Sequence, residues 1–456
     1  MADTDAPSTP TTDYTPSADT WDHVVRAVAH TRHAGAAAAL MRATREHAHD
    51  AELLWLTRAV RGGEERDTLL VRAARRLRTA RVGEILATCP TPASRAELLA
   101  CGDRDGWMAL HYACGPRDEE YEERALALVE LLLGAGADPR AHARYVDDIS
   151  EFQPIHDAAR WSARLVQRLV QAGASIDGDA AGNSTLRQAA RACTAVGVRM
   201  IPALVALGAR EMLGGTVVHD FAFNPVEDTP PSDGDVAAAL TALVSVGCSL
   251  MQPNAHGMAP LDYAADTGNE PVVRALLGLG VAAPAKSLAH AVTHPGVVRL
   301  LLAAEAPVGA LATVVVGRPN CSPLMQAAWL AAPESVQLLL GAGASVNASN
   351  ERGHTALMFS ACSKSTDAIA VLGVVEALLA VGVAVNARDL VGHTALHNLA
   401  ITSHDKPWAA AAAQLLLASG ADGRVKNNAG KTPARAVPKA ARGGELHRLL
   451  LEAAGA

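Results

Sequence analysis

Seventeen histidines are spread along this chain, and imidazole is the side chain best suited to ligate a metal or move a proton near neutral pH. Two close pairs, His30 with His33 and His47 with His49, have Glu46 and Asp50 beside them. No CxxC or HExxH spacing accompanies them, so they read as a solvated helix surface rather than a zinc centre. Asp103 and Asp105 before Gly106 look like the opening of a calcium loop, but no third acidic ligand or closing Glu follows at loop spacing. The seven cysteines are odd in number and widely scattered, which supports neither a zinc site nor a disulfide framework and fits a reducing cytosol. No metal and no cofactor are expected.

Catalytic constellations are equally lacking. The chain has no GxSxG, no GxxxxGK[ST] and no GxGxxG followed by an acidic residue. GLG at Gly278 to Gly280 and GAG at Gly341 to Gly343 read as helix stops, and the protein is expected not to be an enzyme. Arg61 to Arg81 holds seven arginines against three acids. Without stacking aromatics or a known reading motif, the stripe reads as the solvated face of a helix rather than a nucleic-acid surface. The mild net charge of −7 also gives no reason to expect a nucleic-acid partner.

The elements that carry these residues are thin. The chain has 456 residues and is 50% hydrophobic but only 3% aromatic, so its apolar volume comes from Ala, Leu and Val. A disordered chain, a collagen-like fibre and a disulfide mini-scaffold are excluded. Self-similarity then becomes the informative signal. One phrase starts at Met108 (MALHYA), Gln153 (QPIHDAA), Ser184 (STLRQAA), Thr216 (TVVHDFA), Ala259 (APLDYAA), Ser287 (SLAHAV), Ser322 (SPLMQAA), Thr355 (TALMFSA), Thr394 (TALHNLA) and Thr432 (TPARAV). These starts recur about every 36 residues. A second phrase alternates with it, as in LLLGAGAD ending at Asp138, LVQAGASID at Asp177, LLLGAGASVN at Asn347, LLAVGVAVN at Asn386 and LLLASGAD at Asp422.

Each phrase has a mechanical meaning. Thr394 sits as an N-cap, and His397, three residues on, can return a bond towards it where a capping box would place Glu or Gln. Pro260, Pro323 and Pro433 occupy the first helical position, where proline is tolerated. The second phrase is an amphipathic helix stopped by Gly136, Gly173, Gly343, Gly382 or Gly420 in a left-handed cap. The polar run that follows ends in Gly-x-Thr, which reads as a tight hairpin. The unit is helix, turn, helix, projecting hairpin.

In these two phrases and this period the chain resembles the ankyrin-repeat family, over about residues 100 to 456. The cap hydroxyl is missing at Met108, Gln153 and Ala259; Arg187, Asp262, Met325 and Met358 replace the histidine; and the helix stop at Glu305 has no glycine. The resemblance implies an all-α helix-turn-helix solenoid of about ten repeats over 101–456, with short β-hairpin fingers. Residues 21–100 carry helical patterning without either phrase and read as a helical N-terminal cap with one or two decayed repeats. Residues 1–20, rich in Ser, Thr, Pro and Asp, read as a disordered tail without a secretory signal. Ala368 to Val385 is nearly all apolar, but Glu376, Gly373 and Gly382 interrupt it, so no membrane span is expected.

The resemblance further implies a non-enzymatic interaction scaffold that binds protein partners on the concave surface of hairpin tips and first helices. A monomer in the cytoplasm is expected. The alternatives are an effector or inhibitor that blocks a partner enzyme, or a nucleic-acid or metal-binding module in residues 21–100. The partner site expected from the residues themselves lies where six of the fifteen aromatics gather, between Trp107 and Trp161. Trp107 follows Gly106 at a hairpin tip. The finger before His156 carries about five residues more than the one before His397, which places Tyr145, Asp147, Asp148 and Phe152 on an enlarged finger. Tyr112 and Trp161 complete the set. Two acidic insertions, GPRDEEYEER and NPVEDTPPSDGD, lengthen connections that the repeat keeps short.

Overall fold

The computed structural model describes residues 69–87, 92–103, 106–115, 118–144, 151–177, 184–192, 194–210, 216–223, 231–312 and 320–455. The expected tail over 1–20, most of the 21–100 region and the histidine pairs at 30–33 and 47–49 lie outside them. The chain forms two compact units, residues 1–192 with 199–213, and residues 193–198 with 214–456.

The first unit opens with α1 (Leu69–Arg75), α2 (Thr79–Ala87) and α3 (Pro92–Ala100). It continues with α4 (Ala109–Cys114), α5 (Glu122–Gly134), α6 (Pro154–Ala158), α7 (Ala163–Gln171) and α8 (Thr185–Arg191). A ribbon of two strands, β1 (Ala143–Arg144) and β2 (Glu151–Phe152), runs antiparallel with Ala143 opposite Phe152. Helix α9 (Ala195–Ala206) follows. The short first helices stack in a row, α1 on α4, α4 on α6 and α6 on α8, while α2, α5 and α7 form a second row behind them. Helices α1 and α2 carry neither phrase yet take the same places in the two rows as a full repeat.

The second unit repeats the plan. Its first row holds α10 (Thr216–Phe223), α12 (Pro260–Thr267), α14 (Ala285–His290), α16 (Pro323–Trp329), α18 (Ala356–Ala361), α20 (Ala395–Thr402) and α22 (Pro433–Ala436). Its second row holds α11 (Asp233–Ser245), α13 (Glu270–Gly278), α15 (Pro295–Ala303), α17 (Pro333–Gly341), α19 (Ala368–Ala380), α21 (Ala409–Ala418) and α23 (Glu445–Ala454).

Local chemistry accounts for where these helices begin and end. The hydroxyls of Ser184, Ser322 and Thr355 accept the N–H three residues on, at 3.2, 3.3 and 3.4 Å. The apolar residue two positions after the cap is buried: Leu110, Ile155, Leu186, Leu261, Leu324, Leu357 and Leu396. Burial of each such side chain contributes about 1.5–3 kcal/mol. The five stop glycines have φ between 78° and 104°. Glu305, which lacks the glycine, takes φ 58°, and Glu305 and Ala306 still donate to Leu302 and Leu301 at 3.0 and 3.1 Å, as Gly343 and Ala344 do to Leu340 and Leu339. Packing between rows overrides the side chain's dislike of that conformation.

Two features differ from the sequence reading. The SLAHAV phrase does not start its helix at Ser287, because α14 begins one turn earlier after Pro284. Ser287 therefore stands where other repeats place His, and His290 stands at the helix end with its Nδ1 3.1 Å from Asp266 Oδ1. The acidic insertion after Cys114 is also partly absorbed by packing. It forms a 3-10 turn (Glu119–Tyr121) and the start of α5, where Glu122 accepts from Ser162 at 2.6 Å and Glu122 and Glu123 pair with Arg164. Similar arginine–carboxylate pairs join second-row helices at Arg168–Glu130, Arg274–Asp233 and Arg299–Glu334. The apolar stretch at 368–385 is α19, which buries Val371, Val374, Val375 and Leu378 between α17 and α21. No helix among the described residues is long and apolar enough to cross a membrane.

Candidate protein-binding surface

The fingers are built by a recurring carboxylate or amide. Asp103 Oδ1 accepts the N–H of Trp107 at 2.9 Å. Asn254, Asn350, Asp389 and Asn427 each accept from the residues two and four ahead, at 2.7 to 3.1 Å. This turn closes each finger and sets the residue before the next helix cap. The repeat of Asp or Asn at that place was legible in the sequence, although it lies outside both phrases.

Histidine then joins one repeat to the next. His111 accepts the N–H of Met108 at Nδ1 (3.3 Å), and its Nε2 donates to the carbonyl of Phe152 (3.1 Å). Burial holds its pKa down at about 4, so the ring stays neutral, with one nitrogen accepting and the other donating. His219 reaches the carbonyl of Met258 at 3.1 Å in the same way. Where Asp262 replaces histidine, it still accepts the cap N–H, from Ala259 at 3.0 Å, but a carboxylate has nothing to donate onward. The next repeat answers with donors: Ser287 Oγ donates to Asp262 Oδ1 at 2.6 Å, and Lys286 Nζ lies 3.2 Å from Oδ2. Met325 offers only its sulfur, 3.5 Å from the N–H of Ser322.

Of the expected site residues, the structure brings Trp107 and Tyr112 together. Their ring centroids are 5.7 Å apart, and Trp107 is 5.6 Å from His111. The Tyr112 hydroxyl donates to Asp103 Oδ2 at 2.5 Å and accepts from Arg75 Nη2 at 2.7 Å. The Arg75 guanidinium lies 4.4 Å over the Tyr112 ring. Burial, and then the Asp103 carboxylate, push the phenol up to about 12, so it keeps its proton. The result is a partly exposed aromatic notch whose rings are held by the finger on one side and α1 on the other.

Phe152 stands at the end of β2, partly exposed and edge-on to His156 at 6.1 Å. Tyr145, Asp147 and Asp148 lie outside the described residues; the β1–β2 pairing that brackets them forms the base of the expected finger. Trp161 lies elsewhere. It is buried, and its indole N–H donates to the carbonyl of Cys114 at 2.8 Å, so it seals the joint between two repeats. Trp408 does the same in the second unit, donating to Ser365 at 2.9 Å.

Other chemistry is sparse. No group of three His, Cys, Asp or Glu side chains that could hold a metal occurs among the described residues. Cys101, Cys114 and Cys362 carry free thiols, and burial pushes Cys114 well up. Two features escaped the sequence reading. Asp157, in α6, is a buried carboxyl whose Oδ2 has no hydrogen-bond partner among the described residues and whose pKa burial raises to about 7. The buried Asp389 is approached by His354 at 3.4 Å and His393 at 3.7 Å, and His393 stacks on His397 with centroids 5.6 Å apart.

Two stretches match family models: residues 105–144 match the model described as ankyrin repeat, and residues 324–427 match the ankyrin repeats model in three copies. No curated protein matches the chain. Similar solved structures include the human ASB11 ankyrin repeat domain, at 20% identity and TM-score 0.40, covering 52% of this chain and 96% of that one. The ankyrin repeat domain of Bcl-3, described as a unique member of the IkappaB protein family, is 23% identical at TM-score 0.37, covering 51% of this chain and 96% of that one. The alternating phrases, the rows of paired helices and the matched repeats agree: the chain carries ankyrin repeats over residues 105–144 and 324–427, which support an ankyrin-repeat protein.

Proposed function

We propose that this protein is a non-enzymatic scaffold that binds a partner protein through its fingers and first helices. Ankyrin repeats are in general protein–protein interaction modules, and the family match supports that much directly. The observation that carries the finer reading is the notch of Trp107 and Tyr112, with both rings pre-positioned by Asp103 and Arg75. Rigid, partly exposed aromatics lose little entropy on binding and act as interface anchors. Tyr145, Asp147, Asp148 and Phe152 extend the proposed site along the adjoining finger. The proposed organisation is a tail over 1–20, a helical cap over 21–100 that ends in the repeat-like pair α1–α2, and about ten repeats over 101–456. A monomeric chain in the cytoplasm belongs to this proposal.

The test is quantitative affinity purification with wild type and the Trp107→Ala, Tyr145→Ala double variant, compared by mass spectrometry. Loss of the most enriched partner is expected, and full retention would overturn the site. An effector role, in which binding blocks a partner enzyme, uses the same surface and differs only in its consequence for that enzyme's rate.

A further inference from the structure

Three consecutive fingers, residues 349–355, 387–393 and 425–431, are stitched edge to edge. The N–H of Leu390 donates to the carbonyl of Arg352 at 3.1 Å, and the N–H of Asn428 donates to the carbonyl of Val391 at 3.0 Å. Asn428 Nδ2 also donates to the Leu390 carbonyl at 3.0 Å, and the Val391 N–H donates to Asp389 at 2.9 Å. All four backbone groups of the Leu390–Val391 pair are therefore satisfied. Gly353 (φ 77°) and Gly392 (φ 80°) permit this closeness: a Cβ on Gly353 would lie 3.0 Å from Asp389 Cα, and one on Gly392 would lie 2.9 Å from Asn428 N.

The backbone is fixed, yet the side chains it carries are in water. Leu390 is 72% exposed and Val391 56%. The corresponding tips of the neighbouring fingers hold Glu351 with Arg352 and Asn428 with Ala429, so the repeat itself requires no aliphatic pair there. The same three fingers carry the exposed cations Arg352, Arg388, Lys426 and Lys431. Arg388 directs its guanidinium to the carbonyls of Gly392 and Lys426 and to Asn428 Oδ1, which leaves its charge uncompensated. Among the described residues none of the four faces a carboxylate at ion-pair distance. Of the acids on these fingers, Asp389 is buried beneath the tip, and Glu351 is exposed and accepts from Asn320 at 2.8 Å.

A rigid aliphatic pair on a row of fingers that exposes four cations, on a chain of net charge −7, has a definite complement. We infer that this finger row is a second docking surface, distinct from the Trp107 notch, and that its occupant is an acidic segment of a partner protein carrying an aliphatic side chain between carboxylates. The aliphatic contact supplies the anchor and the cations set orientation and on-rate.

The probe is a fluorescein-labelled peptide of alternating Leu-Glu-Glu and Leu-Asp-Asp triplets, titrated by anisotropy against the full chain. The same peptide with Gln and Asn for the acids, and labelled polyuridylate RNA, run beside it. Wild type is expected to bind the acidic peptide. Leu390→Asp and Arg352→Glu should each weaken it about tenfold, and Leu390→Ala about threefold, with unchanged thermal midpoints because both positions are exposed. Trp107→Ala should bind as wild type does, which separates this surface from the site proposed above. The inference is overturned if wild type does not bind, if the amide peptide or the RNA binds equally well, if the finger variants bind as wild type does, or if Trp107→Ala abolishes binding.

Discussion

The Nε2 of His397 donates to the main-chain carbonyl of Lys431, 3.0 Å away in the following finger, while its Nδ1 accepts the N–H of Thr394 at 3.2 Å. One neutral imidazole thus caps its own helix and holds the next repeat in register. Burial lowers the pKa of His397, which favours the neutral form that this double role needs. His111 repeats the relationship with Met108 and Phe152, and His219 likewise reaches the Met258 carbonyl.

Replacing His397 with Leu should therefore cost about 1–3 kcal/mol, because two backbone groups lose their partners at once. Urea unfolding followed by circular dichroism would measure it. A cost below about 0.5 kcal/mol would mean that apolar packing alone sets the register.

Placing at Asp262 the histidine that His111 and His397 supply in other repeats should be harmful. Asp262→His would aim a ring N–H at Ser287 and Lys286, both of which donate to the present carboxylate. We expect a loss of about 1–3 kcal/mol in the same unfolding measurement. Recovery in the Asp262→His, Lys286→Leu, Ser287→Ala triple variant would show that polarity matching is the cause.

Glu305→Gly should stabilise the second unit by about 0.5–1 kcal/mol, since a left-handed residue with a Cβ costs about 1–2 kcal/mol and the freer unfolded chain returns part of it. Gly343→Ala is the converse. No atom lies within 4 Å of the added Cβ, so its φ of 86° is the only strain. It should destabilise by about 1 kcal/mol. Equal midpoints for Glu305→Gly and wild type would mean that the turn relaxes around glutamate.

Asp157 and His111 should impose opposite pH dependences on the first unit. Asp157 keeps its proton to about pH 7 when folded and loses it near the ordinary 3.8 when unfolded, so its charging destabilises the fold as pH rises through that window. His111 protonates near 4 when folded but near 6.5 when unfolded, so stability is lost as pH falls between those values. Asp157→Asn should raise the thermal midpoint above pH 7 and expose the His111 decline below pH 6.5. An unchanged pH profile would show that Asp157 is hydrated in the folded chain.

The repeat plan was written in local sequence because capping and stopping a helix are local acts. Ser322, Thr355, Pro323 and Gly343 do their work within a few residues, and each appears where the phrases put it. The Ser287 phrase misled because a three-residue Ser-to-His spacing mimics the cap, whereas Pro284 starts that helix a turn earlier.

Sequence alone determined the repeat period, the alternating phrases that carry the resemblance to ankyrin repeats, and the gathering of aromatics between Trp107 and Trp161, since these are read along the chain. Tertiary structure decided which aromatics remain on the surface. Trp161 is withdrawn by a bond to Cys114, whereas Leu390 and Val391 are left in water. The physical reason is range. The Trp161 contact spans 47 positions, and the stitching of Leu390 to Arg352 joins separate fingers, so burial there depends on how neighbouring repeats meet rather than on any pattern within one.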